Sequence, residues 1–185
     1  MRRFFLLFIW ICLFSDIAGL AQKAEKITLP ESGLDNFYRV DSGVYRADQP
    51  SVMAFKMLEQ FGIKEILNLR NWHSDIDETR GTSLRLHRLK TRASKIDERE
   101  IVKALRIIKS RQGPILIHCW HGSDRTGAVI AMYRIVFQGW SKENAIKEMT
   151  EGGFGFHKQF SQIIDVINRA DIAAIKRKLE RKLKT

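Results

Sequence analysis

Cysteine is scarce in this 185-residue chain, which holds only Cys12 and Cys119. That excludes a disulfide framework and any zinc site built on paired Cys-x2-Cys ligands. Proline is equally rare, with three, so no proline-rich linker divides the chain. No apolar run reaches the about 20 residues a membrane-spanning helix needs. The longest, Phe4–Phe14 (FFLLFIWICLF), is far shorter. No Gly-Lys-Ser/Thr follows a glycine-rich loop, which removes Walker-type nucleotide binding. The aromatic interleaving of an RNA-binding surface is absent, so no nucleic-acid partner is expected. Acidic residues are outnumbered, 21 against 32 basic ones, giving a formal net charge of +11. That balance favours anionic partners over acidic-surface chemistry.

What is present is globular. The chain is 44% hydrophobic and 29% charged, enough for one domain with a real core. Residues 1–21 stand apart. Arg2 and Arg3 precede the uncharged apolar run, and SDIAGLA follows it, with Gly19 and Ala21 at −3 and −1 of a cut before Gln22. That order is a secretory signal peptide and predicts export, to a periplasm or beyond; the alternative is an uncleaved N-terminal anchor. Cys12 leaves with such a signal, so Cys119 becomes the mature chain's single thiol. It is either an inert buried hydrophobe or a reactive group.

Periodicity places the remaining elements. Residues 22–35 read as an irregular lead-in. Two short strands follow, Phe37–Val40 and Gly43–Arg46, around an Asp-Ser-Gly turn. Ser51 caps a helix carrying Phe55, Leu58 and Phe61, which Gly62 ends. Lys64–Leu69 is a strand, residues 70–82 a long polar loop, and 84–90 (LRLHRLK) a half-buried strand with Leu84, Leu86 and Leu89 inward. Asp97 and Glu100 form a capping box for a helix to about Ser110. Residues 115–118 (ILIH) lack alternation, as in a central strand covered on both faces. Thr126–Phe137 is apolar all round and predicts a buried helix. Ser141 caps another helix, and helical spacing resumes through Phe160, Ile163, Ile164 and Ile167. The tail from Ile172 to Leu183 is apolar on one face and basic elsewhere. The fold class is α/β, a small central sheet flanked by helices with a helical C-terminal half.

The chemistry concentrates in HCWHGSDRT, His118 to Thr126, between the central strand and the buried helix. A loop of that size can curl its backbone N–H groups inward into an anion nest, strengthened by the following helix dipole. Gly122 supplies the backbone freedom such a curl needs. The same field stabilises a thiolate, lowering a thiol from about 8.5 to roughly 3.5–7.5 in such settings. Arg125, with a planar fork, can hold two equatorial phosphate oxygens through a trigonal transition state.

Cys-x5-Arg after IxxHC and before TG resembles the cysteine-based protein tyrosine and dual-specificity phosphatase superfamily, whose signature is HCxxGxxR(S/T)G. FYRVDSGVYRADQPS, GIKEILNLR and AMYRIVFQGWSKENAIKEM are similar to compact bacterial dual-specificity phosphatases in order and spacing. The likeness covers roughly residues 36–168. It implies a phosphotyrosine-phosphatase-like fold, with a phosphatase domain over 36–170 and a basic helix over 171–185. It implies Cys119 as the nucleophile, Arg125 as the phosphate-binding arginine, and the N–H groups of Trp120, His121, Gly122, Ser123, Asp124 and Arg125 as the cradle. His118 would orient the loop, and Thr126 would hydrogen-bond the sulfur. No metal or cofactor is implied.

The general acid is open between Asp124 in the loop, favoured because GxDRT resembles the myotubularin-type lipid phosphatases, Asp97 on the helix cap, and Asp75 in the long polar loop. A metal site at His118, Cys119 and His121 has the wrong spacing, and His73, His87 and His157 are scattered. The expected activity is hydrolysis of phosphomonoesters through a phosphocysteine, on phosphoprotein. The alternative substrate is an inositol phosphate or phosphoinositide, and a second alternative is a non-catalytic phosphate-binding module. The tail either touches an anionic membrane surface or packs on its own domain with a wet basic face.

Overall fold

The computed structural model describes residues 22–181. The export signal expected over 1–21 lies outside them, as does the chain after 181. Strands β1 (Glu25–Lys26), β2 (Tyr38–Arg39), β3 (Val44–Ala47), β4 (Glu65–Arg70), β5 (Arg85–Thr91) and β6 (Ile115–His118) form one mixed sheet in the order β1-β2-β3-β6-β4-β5. β1, β2 and β3 pair antiparallel; β3, β6, β4 and β5 pair parallel. β6 therefore sits in the middle of the parallel section, and both of its neighbours bury its edges. The residues after His118 leave the sheet at the carboxyl end of the parallel strands, where open α/β sheets place their ligands.

Helix α1 (Val52–Phe61) covers one face of the sheet. Its Phe55 and Leu58 pack with Phe37, Ile66, Leu84 and Leu116. The other face carries α2 (Glu98–Ser110), α3 (Asp124–Gln138), α4 (Lys142–Glu151), α5 (Gln162–Arg169) and α6 (Ile172–Glu180) over a larger core. Alternation along β6 divides its side chains, with Ile115 and Ile117 in the larger core and Leu116 under α1. The predicted caps are formed. Ser51 Oγ accepts from Ala54 N–H at 3.1 Å, Ser141 Oγ accepts from Asn144 N–H at 3.1 Å, and Asp97 and Glu100 close a reciprocal capping box.

Two expectations need correction, and the tail takes up the second of its two readings. The lead-in is not wholly irregular, because Glu25 and Lys26 pair with Arg39 and Tyr38 and extend the sheet by a strand. Leu86 is 36% exposed instead of buried. It lies on the sheet's edge strand, and the β4–β5 register slips between Asn68 and Arg70. Leu84 and Leu89 are five positions apart and so face opposite sides of the sheet, Leu84 packing on the α1 side and Leu89 against the larger core. The C-terminal tail does not lie free: Ile175 and Leu179 are buried, and Arg106 and Lys109 of α2 donate to the carbonyls of Lys178 and Leu179. The apolar face a bilayer-lying helix needs is thus spent on the domain.

α3 is buried from Asp124 to Val136 except at Arg125, which is half-buried. It carries a charge into the interior at Arg134, which is 1% exposed. Its guanidinium donates to both carboxylate oxygens of Glu148 on α4, at 2.9 and 2.8 Å, and to Val40 O at 3.1 Å. Glu148 also accepts from Ala24 N–H at 2.9 Å, tying the lead-in to the helices. Removing one partner of a buried pair strands the other charge, which costs about 3–5 kcal/mol. Glu148→Ala is therefore expected to lower unfolding stability by about that amount, read from urea midpoints at constant m.

Candidate active site

The segment after β6 turns back under α3 with its carbonyls held from outside. His118 Nδ1 lies 3.3 Å from Cys119 O. Gln49 N–H donates to Trp120 O at 3.0 Å, Asn36 Nδ2 donates to His121 O at 2.8 Å, and Arg46 Nη2 donates to Gly122 O at 2.6 Å. With three successive carbonyls, Trp120 to Gly122, anchored by donors outside the loop, the N–H groups from Trp120 to Arg125 find no acceptor among the described residues. That is the arrangement of an anion nest at a helix N-terminus. Cys119 lies buried at its base.

Gly122 has φ +71, and a Cβ there would come within 2.5 Å of Ala47 O, so the close approach of the loop to the end of β3 requires glycine. Arg46 lies under this contact, 1% exposed, with its guanidinium 3.6 Å from the Phe154 ring centroid. Burial pulls its pKa down to about 10, against the opposing pull of Glu148 and Cys119. It stays cationic at neutral pH and places a fixed positive charge beside the thiol.

Arg125 opens α3 with its Nη1 3.5 Å from the carbonyls of Leu69 and Thr91. These contacts are at the limit of hydrogen bonding and leave the fork available to an anion. Arg70, from the end of β4, lies 4.2 Å over the Trp120 ring and donates to Gln49 Oε1 at 2.9 Å.

His118 is fully buried and points under the loop. Its Nε2 lies 2.9 Å from Asp75 Oδ2, and Gln49 Nε2 donates to Asp75 Oδ1 at 3.1 Å. Burial works against the Asp75 carboxylate, but the hydrogen bonds from His118, Gln49 and Asn68 outweigh it and hold its pKa below the usual range. Asp75 is thus the partner that orients His118, buried behind the loop, and does not stand where a leaving group would be met. Asp97 is occupied as the cap of α2. Asp124 is buried, and its oxygens accept from the His157 backbone N–H at 2.9 Å and face its Nδ1 at 3.2 and 2.9 Å. Thr126 departs from expectation. Its Oγ1 is buried in the first turn of α3 without a hydrogen-bond partner among the described residues, and the bond to the Cys119 sulfur is not formed.

The fold brings together Cys119, Arg125, His118, Asp75 and Asp124 as a single site and leaves Asp97 out. It adds Arg46, Gln49, Asn36, Arg70 and His157, none of which the sequence reading had assigned a role. His121, Asp124 and His157 bring their ligating atoms within 4.8 Å of one another. Asp124 and His157 are hydrogen-bonded to each other within this group, through Nδ1 of the ring.

Residues 33–182 match the profile of the tyrosine phosphatase family. The chain belongs to this family. The dual specificity protein phosphatase TpbA of Pseudomonas aeruginosa is 32% identical over 148 residues, which are 76% of this chain and 65% of that protein's length. The crystal structure of TpbA superposes with a TM-score of 0.76 at 30% identity, covering 88% of this chain and 99% of the crystallised one. A TpbA variant crystallised with pTyr gives 0.75 at 29% identity, covering 89% and 99%. The catalytic core of the PP-IP phosphatase Siw14 of S. cerevisiae gives 0.67 at 29% identity, covering 77% and 90%. Inositol diphosphatase DSP2 of Oryza sativa is 30% identical over 122 residues, 61% of this chain and 59% of its own length. Family membership and the loop geometry agree on a site built for a phosphate.

The Asp75–His118 bond carries a pH dependence. A carboxylate held below its unfolded pKa of about 3.9 contributes stability that is complete above that value and lost as pH falls through the folded one. Asp75→Asn is expected to flatten the loss of stability below about pH 4. It should also lower kcat by loosening His118. Urea midpoints across the acid range, with kcat at neutral pH, check both.

Proposed function

We propose that this protein hydrolyses phosphomonoesters through a phosphocysteine. The observation that carries the reading is the anchoring of the three carbonyls from Trp120 to Gly122 from outside the loop, which leaves its N–H groups without acceptors among the described residues around a buried thiol. A phosphate dianion seated there accepts from those N–H groups, and the Arg125 fork binds two of its equatorial oxygens. The Cys119 thiolate attacks phosphorus in line, the bond to the leaving oxygen breaks, and a proton from the Asp124 side of the loop neutralises that oxygen. Water then attacks phosphorus, the P–S bond breaks, and the electron pair returns to sulfur. The preorganised N–H groups and Arg46 stabilise charge without reorganising during the reaction.

The substrate reading is phosphotyrosine in protein. Trp120 and Trp72 are 52% and 85% exposed; Trp120 lies in the loop itself, and Trp72 just beyond β4. Each has an arginine over its ring, Arg70 on Trp120 and Arg92 on Trp72. Flat apolar faces of this kind suit an aryl ester, and the pTyr complex of the TpbA relative supports the choice. A second reading, an inositol phosphate, is favoured by the same arginines together with Arg125 and by the inositol diphosphatase relatives. A phosphate-binding module without turnover would keep the nest but has no need of the thiol. We place the activity outside the cytoplasm on the basic–apolar–small order of residues 1–21, and we assign no role at a membrane surface to α6 beyond its basic outer face.

Cys119→Ser is expected to abolish turnover of an aryl phosphate while retaining phosphate binding. Arg125→Lys is expected to lower kcat about 10²–10³-fold, since an ammonium cannot reproduce the planar two-point contact. In a panel of phosphotyrosyl peptide, phosphoseryl peptide and inositol polyphosphate, the phosphotyrosyl peptide should show the highest kcat/KM. Preference for the inositol ester would select the second reading. Wild-type rate in Cys119→Ser would remove the phosphocysteine mechanism.

A further inference from the structure

The segment between α4 and α5 carries a histidine aimed at the mouth of the phosphate site. Asp124 holds His157 twice, through the backbone N–H at 2.9 Å and through Nδ1 at 2.9 Å. A carboxylate only accepts, so Nδ1 carries the proton in this pair. Nε2 is left without a protein partner among the described residues, and the side chain is 39% exposed. The imidazole shares a cleft of about 310 Å³ with Arg125, Trp120, His121 and Phe160. Its segment is tied to the loop at two further points. Ser123 Oγ donates to Phe154 O at 2.6 Å, and Asn36 Nδ2 bridges Phe154 O and His121 O at 2.9 and 2.8 Å. The free nitrogen is therefore held in fixed relation to the cradle.

We propose that His157 is the proton donor to the leaving oxygen and that Asp124 is its positioning residue. This rests on the phosphatase reading above and names the atom that completes it. The carboxylates do not serve as well: Asp75 is behind His118, Asp97 caps α2, and both oxygens of Asp124 face the His157 ring at hydrogen-bond distance. Arg125 lines the cleft but does not release its proton. His121 lies close, with ring centroids 5.1 Å apart, but no carboxylate among the described residues hydrogen-bonds its ring. In the first step sulfur bonds to phosphorus and the P–O bond breaks. Its electron pair stays on the leaving oxygen, which takes the proton from Nε2 of the protonated imidazole. In the second step the neutral Nε2 takes a proton from the attacking water as the P–S bond breaks. The imidazole is then protonated again, the thiolate is restored, and an alcohol and a phosphate have been released.

Leaving-group dependence tests this directly, because a proton donor matters only when the departing oxygen is a poor anion. With purified full chain, His157→Gln is expected to lower kcat on phenyl phosphate about 10²–10³-fold and on dinitrophenyl phosphate less than about tenfold. Asp124→Asn should show the same selectivity to a smaller degree, with partial recovery in Asp124→Glu. Equal losses on both esters would overturn the assignment, since a displaced loop or damaged cradle penalises both. The selectivity appearing in His121→Gln in place of His157→Gln would overturn it too. Cys119→Ser run alongside separates the two levels: loss of both esters there, with no selectivity at His157, leaves the phosphocysteine reading standing and removes only the donor.

Discussion

A row of three carbonyls turned from the loop interior is a costly backbone arrangement unless each finds a donor, because buried peptide groups left unpaired destabilise by about 1–3 kcal/mol each. Here the donors come from Gln49, Asn36 and Arg46. Most of the surrounding architecture can be read as the means of delivering them. β3 ends at Ala47, so that Arg46 reaches Gly122 from below and Gln49 meets Trp120 from the side. Asn36, just before β2, clamps the loop and the segment after α4 together. The catalytic apparatus is the inner surface of this shell; the fold is its outer support.

Two buried arginines stabilise the shell by different means. Arg134 has a full complement, a carboxylate on two oxygens plus a backbone carbonyl, and acts as a rivet between α3, α4 and the start of the sheet. Arg46 has one carbonyl, an aromatic face and an Nε without a partner among the described residues. It is held less completely, and its charge is correspondingly more available to the anionic centre beside it. Glu148 influences both, so the electrostatics of the loop and the packing of the helices are not independent.

Much of this was legible beforehand because it is local. Cys119, Gly122 and Arg125 sit within one strand–loop–helix, and the caps at Ser51, Asp97 and Ser141 are satisfied by residues three positions on. The buried character of α3 and of β6 followed from their unbroken apolar runs. What escaped is non-local. Arg46 meets Gly122 across 76 positions, Asn36 meets His121 across 85, and His157 meets Asp124 across 33. No spacing rule links such pairs, and a lone His in a polar stretch carries no mark of its partner. Leu86 is exposed for a related reason, because its strand ends the sheet order at an edge, which no local pattern in 84–90 marks. The role of Thr126 came only from the resemblance, and its hydroxyl makes no hydrogen bond to the sulfur among the described residues.

Cys119 is 1% exposed, and the very next residue, Trp120, is 52% exposed. One peptide unit therefore spans the distance from floor to rim, and the depth of the recess acts as a ruler. An ester whose phosphorus stands on a long, narrow stem can reach the sulfur while its carrier stays on the arginine-backed tryptophan. One whose phosphorus is crowded by its own chain stops at the rim. Selection among phosphoesters is in this sense a matter of reach before it is a matter of recognition, and altering the height of the rim would change which esters qualify without touching a single reacting atom.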